Sequence, residues 1–178
     1  MMKILNNRKS QFYILTAIML IAYSLLLLQS LSVVPYSSKN FRHAFDNFAF
    51  ESHAALNNAL FEREDVNEEF EVFLESFISY SRMKKLNIET VTVLETGNRV
   101  YVSNHMNNPV HIINLNQTVD SGSYEYFLRS AVSEMVLEVR DDVFHENIYK
   151  FTILSQGTDA KAVMRLRKGS EQEIFVME

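Results

Sequence analysis

The chain has no cysteine, which excludes a disulfide framework, cysteine-ligated structural zinc and thiol catalysis together. A domain made from it must be held by its core alone, which is easier at this size than in a mini-domain. There are only four glycines, few for the backbone loops that cradle phosphates, and none of GxSxG, GxxxxGK or GxGxxG occurs. Nucleotide-dependent enzymes are thereby excluded. HExxH and an Asp-rich calcium loop are absent as well. Of the histidines at 43, 53, 105, 111 and 145, only His43 and His53 fall on one helical stretch, about 80° apart around it. No metal, cofactor or catalytic residue is expected. Acidic pairs at Asp141-Asp142 and Glu171/Glu173 fall at turns and the chain end, where carboxylates are ordinarily solvated.

Charge of one sign is also scarce. The formal balance is -5, and the bases are scattered apart from two short clusters, Arg82/Lys84/Lys85 and Arg165/Arg167/Lys168. Neither nucleic acid nor nucleotide is expected as a partner. Both clusters read as solvated faces.

Apolar residues are plentiful: 47% of the chain, with 13 Phe and 8 Tyr, enough to build a core and too many for a disordered tail. The first concentration runs from Phe12 to Leu28 (FYILTAIMLIAYSLLLL) and continues to Val34, roughly 23 residues or about 34 Å of helix, sufficient to cross a bilayer core of about 30 Å. Pro35 ends or kinks it. Charge is missing from all of Ser10 to Ser38. A cleaved signal would need a shorter apolar core before a site such as Ser30-Leu31-Ser32, and a buried core helix rarely goes so long without charge. A membrane anchor is the expectation. Lys3, Arg8 and Lys9 precede it without an acid, whereas Lys39 and Arg42 after it are joined by Asp46 and Glu51. The bias in bases, together with the short N-terminal tail, puts the N-terminus in the cytoplasm and the bulk outside.

The junction Arg8-Lys9-Ser10-Gln11, followed at once by the apolar stretch, resembles the class III signal peptide of archaeal type IV pilins and pilin-like proteins. In that family a peptidase cuts after a basic, small-residue motif and leaves the hydrophobic segment on the mature protein. The resemblance implies cleavage between Ser10 and Gln11. It covers about 25 residues, and the basic-small-Gln-Phe start with a small exterior domain is also similar to archaeal single-pass membrane proteins. Many pilins carry a glutamate five residues into the mature chain to pair with a neighbour's N-terminus; Leu15 stands there in this sequence.

Beyond the anchor, apolar residues at 41, 44, 45, 48, 49, 55, 56, 59 and 60 predict an amphipathic helix over Asn40 to Phe61, interrupted only by Ser52. Asp65, three before Glu68, predicts the start of a second helix. Its stripe is Val66, Phe70, Phe73, Leu74, Phe77, Ile78 and Ser81. Its acids come first and its bases last, which complements the helix dipole. The stripes are expected to pack on each other and on the distal domain, the alternative being that the first helix lies on the membrane or another subunit.

After Leu86 the period changes to two. Ile88–Leu94 and Arg99–Ser103 read as a hairpin about Thr96-Gly97-Asn98, and further strands are expected at 110–115, 124–128, 135–139, 148–154, 162–167 and 173–177. Residues 130–139 allow a helical turn as an alternative. One sequon, Asn116-Gln117-Thr118, marks Asn116 as a candidate N-glycosylation site near a strand end.

The expected architecture is therefore α+β: an N-terminal transmembrane helix, two amphipathic helices, then a C-terminal antiparallel β-rich, sandwich-like domain. The expected segments are a basic cytoplasmic leader 1–10, a membrane helix 11–35, a helical neck 39–86 and an extracytoplasmic β-rich domain 87–178. The expected partners are membrane lipid and other pilin-like subunits, and the expected role is structural or interactive, not enzymatic. A solitary signal-anchored binding or sensor ectodomain is the alternative.

Overall fold

Helix α1, Ser37–Glu62, and helix α2, Val66–Met83, form where the apolar spacing predicts them. The computed structural model of the chain describes residues 37–140 and 146–178. The expected membrane helix 11–35, the Ser10-Gln11 junction, Leu15, the Asp141-Asp142 turn and His145 lie outside the described residues. Among those described, no helix is long and apolar enough to cross a membrane.

On α1 the buried residues Phe41, Phe45, Phe48, Ser52, Leu56 and Ala59 recur at helical spacing. Ser52, the polar break in the stripe, is satisfied: its hydroxyl donates to the Ala49 carbonyl (2.9 Å) and packs 3.8 Å from Met177 Sδ. Leu60 falls at the end of the stripe and is half exposed. The chain reverses over residues 63–65, with Arg63 at φ 62. Asp65 then caps α2, its carboxylate accepting from the N–H groups of Asn67 (2.9 Å) and Glu68 (3.2 Å). The two helices close on an aromatic seam in which the Phe48 ring meets those of Phe77 (5.3 Å, edge-on) and Phe73 (5.7 Å).

Among the described residues nine strands follow: β1 Asn87–Thr96, β2 Arg99–Asn104, β3 Val110–Ile112, β4 Gln117–Val119, β5 Ser123–Leu128, β6 Glu134–Arg140, β7 Glu146–Thr152, β8 Asp159–Lys168 and β9 Glu171–Met177. They form a five-stranded sheet in the order β5-β2-β1-β8-β9 and a four-stranded sheet in the order β4-β3-β6-β7, antiparallel throughout. The β1–β2 hairpin turns on two residues, since Thr96 pairs with Arg99. Gly97 supplies the positive φ of 57° that so tight a turn requires.

The helices cover one face of the larger sheet and the smaller sheet covers the other. Ile88, Leu94, Met164, Leu166, Phe175 and Met177 join the helical core, in which the rings of Phe45 and Phe175 stack at 4.9 Å. Val91, Val93, Val100, Val102 and Val163 face the second sheet and meet Ile112, Met135, Leu137 and Phe151. This explains why β1 and β8 are buried almost end to end: central strands covered on both faces do not alternate. Residues 37–178 make one compact unit, so the segment expected as a neck packs as its third layer.

Two local expectations are revised and one strand is added. The strand expected over 110–115 stops at Ile112, and Ile113–Leu115 is a 3-10 turn. The helical alternative over 130–139 is overturned apart from one 3-10 turn, Arg129–Ala131. Met135, Leu137 and Val139 are buried alternately along β6, as a strand with one face inward must be. The short strand β4 was not visible in the sequence pattern, for its three residues bury only Val119.

Candidate interaction surface

The interior between the two sheets is apolar at its centre and ionic at both ends. At the end where β1 begins, Glu89 accepts from Arg165 Nη1 (3.0 Å) and from the Asn107 side-chain amide (2.6 Å). Arg165 also donates to the Arg140 carbonyl (2.9 Å), and Arg167 Nη1 lies 3.6 Å from Glu89. The solvated reading of the second basic cluster is therefore corrected. Arg165 is 1% exposed, because its register opposite Glu89 turns it toward the second sheet with a counter-charge already there. Lys168, like Arg82, Lys84 and Lys85, is exposed.

At the far end of β1, the fully buried Glu95 pairs with Lys161 and accepts from the Leu154 N–H (2.7 Å), while Lys161 also donates to Asp159 (2.7 Å). Burial works to lower the Lys161 pKa. The hydrogen bonds to Asp159 and Glu95 and the charges of those carboxylates outweigh it, so the ammonium titrates above its ordinary 10.5. A base whose pKa is raised by folding stabilises the fold fully below its unfolded value and loses that contribution as pH climbs through the folded one. Urea midpoints followed from about pH 9 to about pH 12 are accordingly expected to show a loss above 10.5. A Lys161→Met variant, less stable from the start, should lack that component.

A third polar cluster ties α2 to the larger sheet. The Ser103 hydroxyl donates to Glu71 Oε1, and His105 Nε2 lies 3.0 Å from Glu71 Oε2. Ser, His and Glu meet here in the wrong order for nucleophilic catalysis. The carboxylate stands between the other two, whereas a serine nucleophile needs the histidine beside it, and Ser103 is 3% exposed. This arrangement is a clasp. His111 Nδ1 bonds the Thr118 hydroxyl (3.2 Å), His43 lines a groove between the helices and His53 is exposed. Among the described residues no three His, Asp or Glu side chains converge as metal ligands.

Two surface features remain. Along β5, Tyr124, Tyr126 and Leu128 point to the helical side of the sheet and are each more than half exposed. Neither helix covers them. Tyr101 on β2 packs against both tyrosines (6.5 and 6.0 Å), and the Arg99 guanidinium sits 4.8 Å from the Tyr126 ring centre. Since among the described residues β5 pairs only with β2, this aromatic row borders a strand edge that none of them pairs, a feature that folded proteins ordinarily cover or blunt. Rigid aromatic side chains beside free backbone groups are suited to receiving an added strand or a flat partner surface.

The second feature is the groove between α1 and α2, about 710 Å³, with Phe73, Phe77 and Leu86 beside Asn40, Lys84 and Lys168 in its lining. Asn116, the sequon residue, is left-handed (φ 49°, ψ 44°) at the end of the 3-10 turn before β4, and it is exposed. The paired interior charges and the β5 row were missed by sequence reasoning. Glu89 and Glu95 share strand parity with Val91 and Val93, which was the available signal. No protein-family model, no curated protein and no solved structure matches the chain.

Proposed function

We propose that the chain is a membrane-anchored, extracytoplasmic structural or interaction protein, of the kind found as a pilin-like filament or envelope subunit. Residues 11–35 act as the anchor, with the N-terminus cytoplasmic, and the three-layer unit is the exterior head. The observation that carries this reading is the absence of charge from Ser10 to Ser38, directly after Arg8-Lys9, a pattern suited to a bilayer and costly elsewhere. The aromatic row on β5 supports it as a surface on which such a head engages a partner. Glycosylation at Asn116 belongs to the same reading, since an exposed left-handed turn is accessible to a transferase.

A solitary anchored binding or sensor ectodomain is the second reading, favoured by Leu15, which leaves no acid to pair with a neighbouring N-terminus. Mass spectrometry of the purified protein's N-terminus separates the two. A start at Gln11 supports processing and assembly, a start at Met1 or Met2 supports the solitary anchor, and a start beyond residue 32 refutes the anchor. If subunits assemble through this segment, Leu15→Lys is expected to abolish filaments seen by electron microscopy while leaving the head folded.

A further inference from the structure

We propose that the end of the head at which α1 begins docks on anionic lipid headgroups of the bilayer, a reading that rests on residues 11–35 being the anchor. The fold leaves one charge pattern unexplained. Helices are stabilised by acids in the first turn and bases in the last. Helix α2 follows this rule, with Glu68 and Glu69 first and Arg82 last. Helix α1 reverses it: Lys39 and then Arg42 open the helix with no acid in the first turn, and Glu62 closes it with no base in the last. Asp46 answers Arg42 within the helix, at 3.0 Å, which leaves Lys39 placed against the dipole of α1.

Lys39 has company. Asn40 of α1, Lys84 after α2 and Lys168 of β8 line one groove. A second depression of about 380 Å³ shares Leu86 and Lys168 with it, is lined also by Arg82, Lys85 and Arg167, and has no acid in its lining. Dipole complementation accounts for Arg82 and for Lys84, the C-cap of α2, whose ammonium also sits 5.4 Å from the Tyr80 ring centre. Lys168 stands on a strand, and Lys85 follows the helix in a left-handed conformation. Met83, between Arg82 and Lys84 in the sequence, is 79% exposed. The acids nearby are Glu51 in the groove wall, Glu171 in register with Lys168, Asp46 paired with Arg42 and Glu89 beside Arg167; Lys39, Arg42, Arg82, Lys84, Lys85, Arg167 and Lys168 outnumber them. The opposite end of the helical hairpin is acidic, and the charge of Glu69 pushes the Glu64 carboxyl up there.

Chain length puts the basic end within range of phosphate. Only Pro35 and Tyr36 separate Val34 from Ser37, so α1 begins within about 10 Å of the end of the apolar stretch, near one Debye length in physiological salt. Each Lys or Arg that close to an anionic leaflet favours the bound state by about fivefold. Met83 adds an apolar contact at the headgroup boundary.

The absence of cysteine makes the test direct. Met83→Cys in the full chain carries a polarity-sensitive fluorophore at one defined point, with the protein in nanodiscs of phosphatidylcholine alone or mixed with phosphatidylglycerol. The label is expected to shift blue and be quenched by spin-labelled lipid in the anionic discs only, and to revert in high salt. A label introduced by Ser155→Cys, in the loop before β8 at the opposite end, should stay in water throughout. Replacing Lys84, Lys85 and Lys168 together by Gln should lower the docked-to-free ratio roughly a hundredfold. A label at position 83 that stays in water in anionic discs, or docking that survives the triple variant, overturns the proposal. Equal shielding in both lipids together with crosslinked pairs would mean that a second copy covers this end, and overturns it as well. If the chain washes out of the discs at alkaline pH, the anchor reading fails and docking fails with it. Retention with an exposed label defeats docking alone.

Discussion

Replacing Arg165 by alanine is expected to lower the unfolding free energy by about 3 kcal/mol, the low end of the cost of breaking a buried pair, since Arg167 stays 3.6 Å from the Glu89 carboxylate. Glu89 and Arg165 side chains are 4% and 2% exposed, so water cannot take over the role of the guanidinium. The Arg140 carbonyl would lose its donor in the same change. Urea denaturation of the wild type and the variant at neutral pH measures the loss. A double variant, Glu89→Leu with Arg165→Met, should recover most of it, because an apolar pair of similar volume removes the desolvation penalty along with the attraction. Recovery would mean that the pair fixes the register of β1 on β8 more than it adds net stability. If Arg165→Ala costs under about 1 kcal/mol, the pair is hydrated and the burial argument fails.

Phe48→Ala should be comparably damaging, at about 3–5 kcal/mol, while Phe50→Ala, two residues along the same helix, should stay within about 0.5 kcal/mol of wild type. Phe48 is 1% exposed at the seam between α1 and α2, and Phe50 is 77% exposed on the outer face. Thermal unfolding of the two variants side by side tests the rotational setting of α1 on the sheet. Similar losses at both positions would mean that Phe50 is covered by a partner or that the helix is turned from the orientation described.

That contrast shows why the helices were legible in the sequence. Their burial has a local cause, a 3.6-residue period that included position 48 and passed over 50, and Asp65 capped α2 where its spacing to Glu68 indicated. The hairpin at Gly97-Asn98 was legible for the same reason, since a two-residue turn needs one residue that tolerates positive φ. The interior charges were less visible because their cause is not local. Arg165 looks like part of a basic patch until β8 is set against β1, and Glu95 meets Lys161 only through pairing between distant segments. The Tyr row on β5 was harder still. Nothing within SYEYFL indicates that the helices stop short of it. Likewise the two basic clusters were visible as runs, while their meeting at one end of the head depends on the turn after α2 and the turn after β8 lying together.

The central position of β1 has a consequence for how the head forms. Its hydrogen-bonding partners are β2, reached through two turn residues, and β8, which arrives roughly seventy residues later, and a topology with such distant pairings folds slowly for its size. The helical hairpin and the β1–β2 ribbon can form early from near neighbours, yet the other edge of β1 stays without its β8 pairing, and Glu89 and Glu95 without Arg165 and Lys161, until β8 arrives. A ribosome or translocon delivering the chain from its N-terminus would therefore present that unfinished strand to its surroundings for most of synthesis. The acids at either end of β1 keep the waiting strand charged and poorly suited to pairing with a stranger, a gatekeeping role distinct from anything they do in the finished fold.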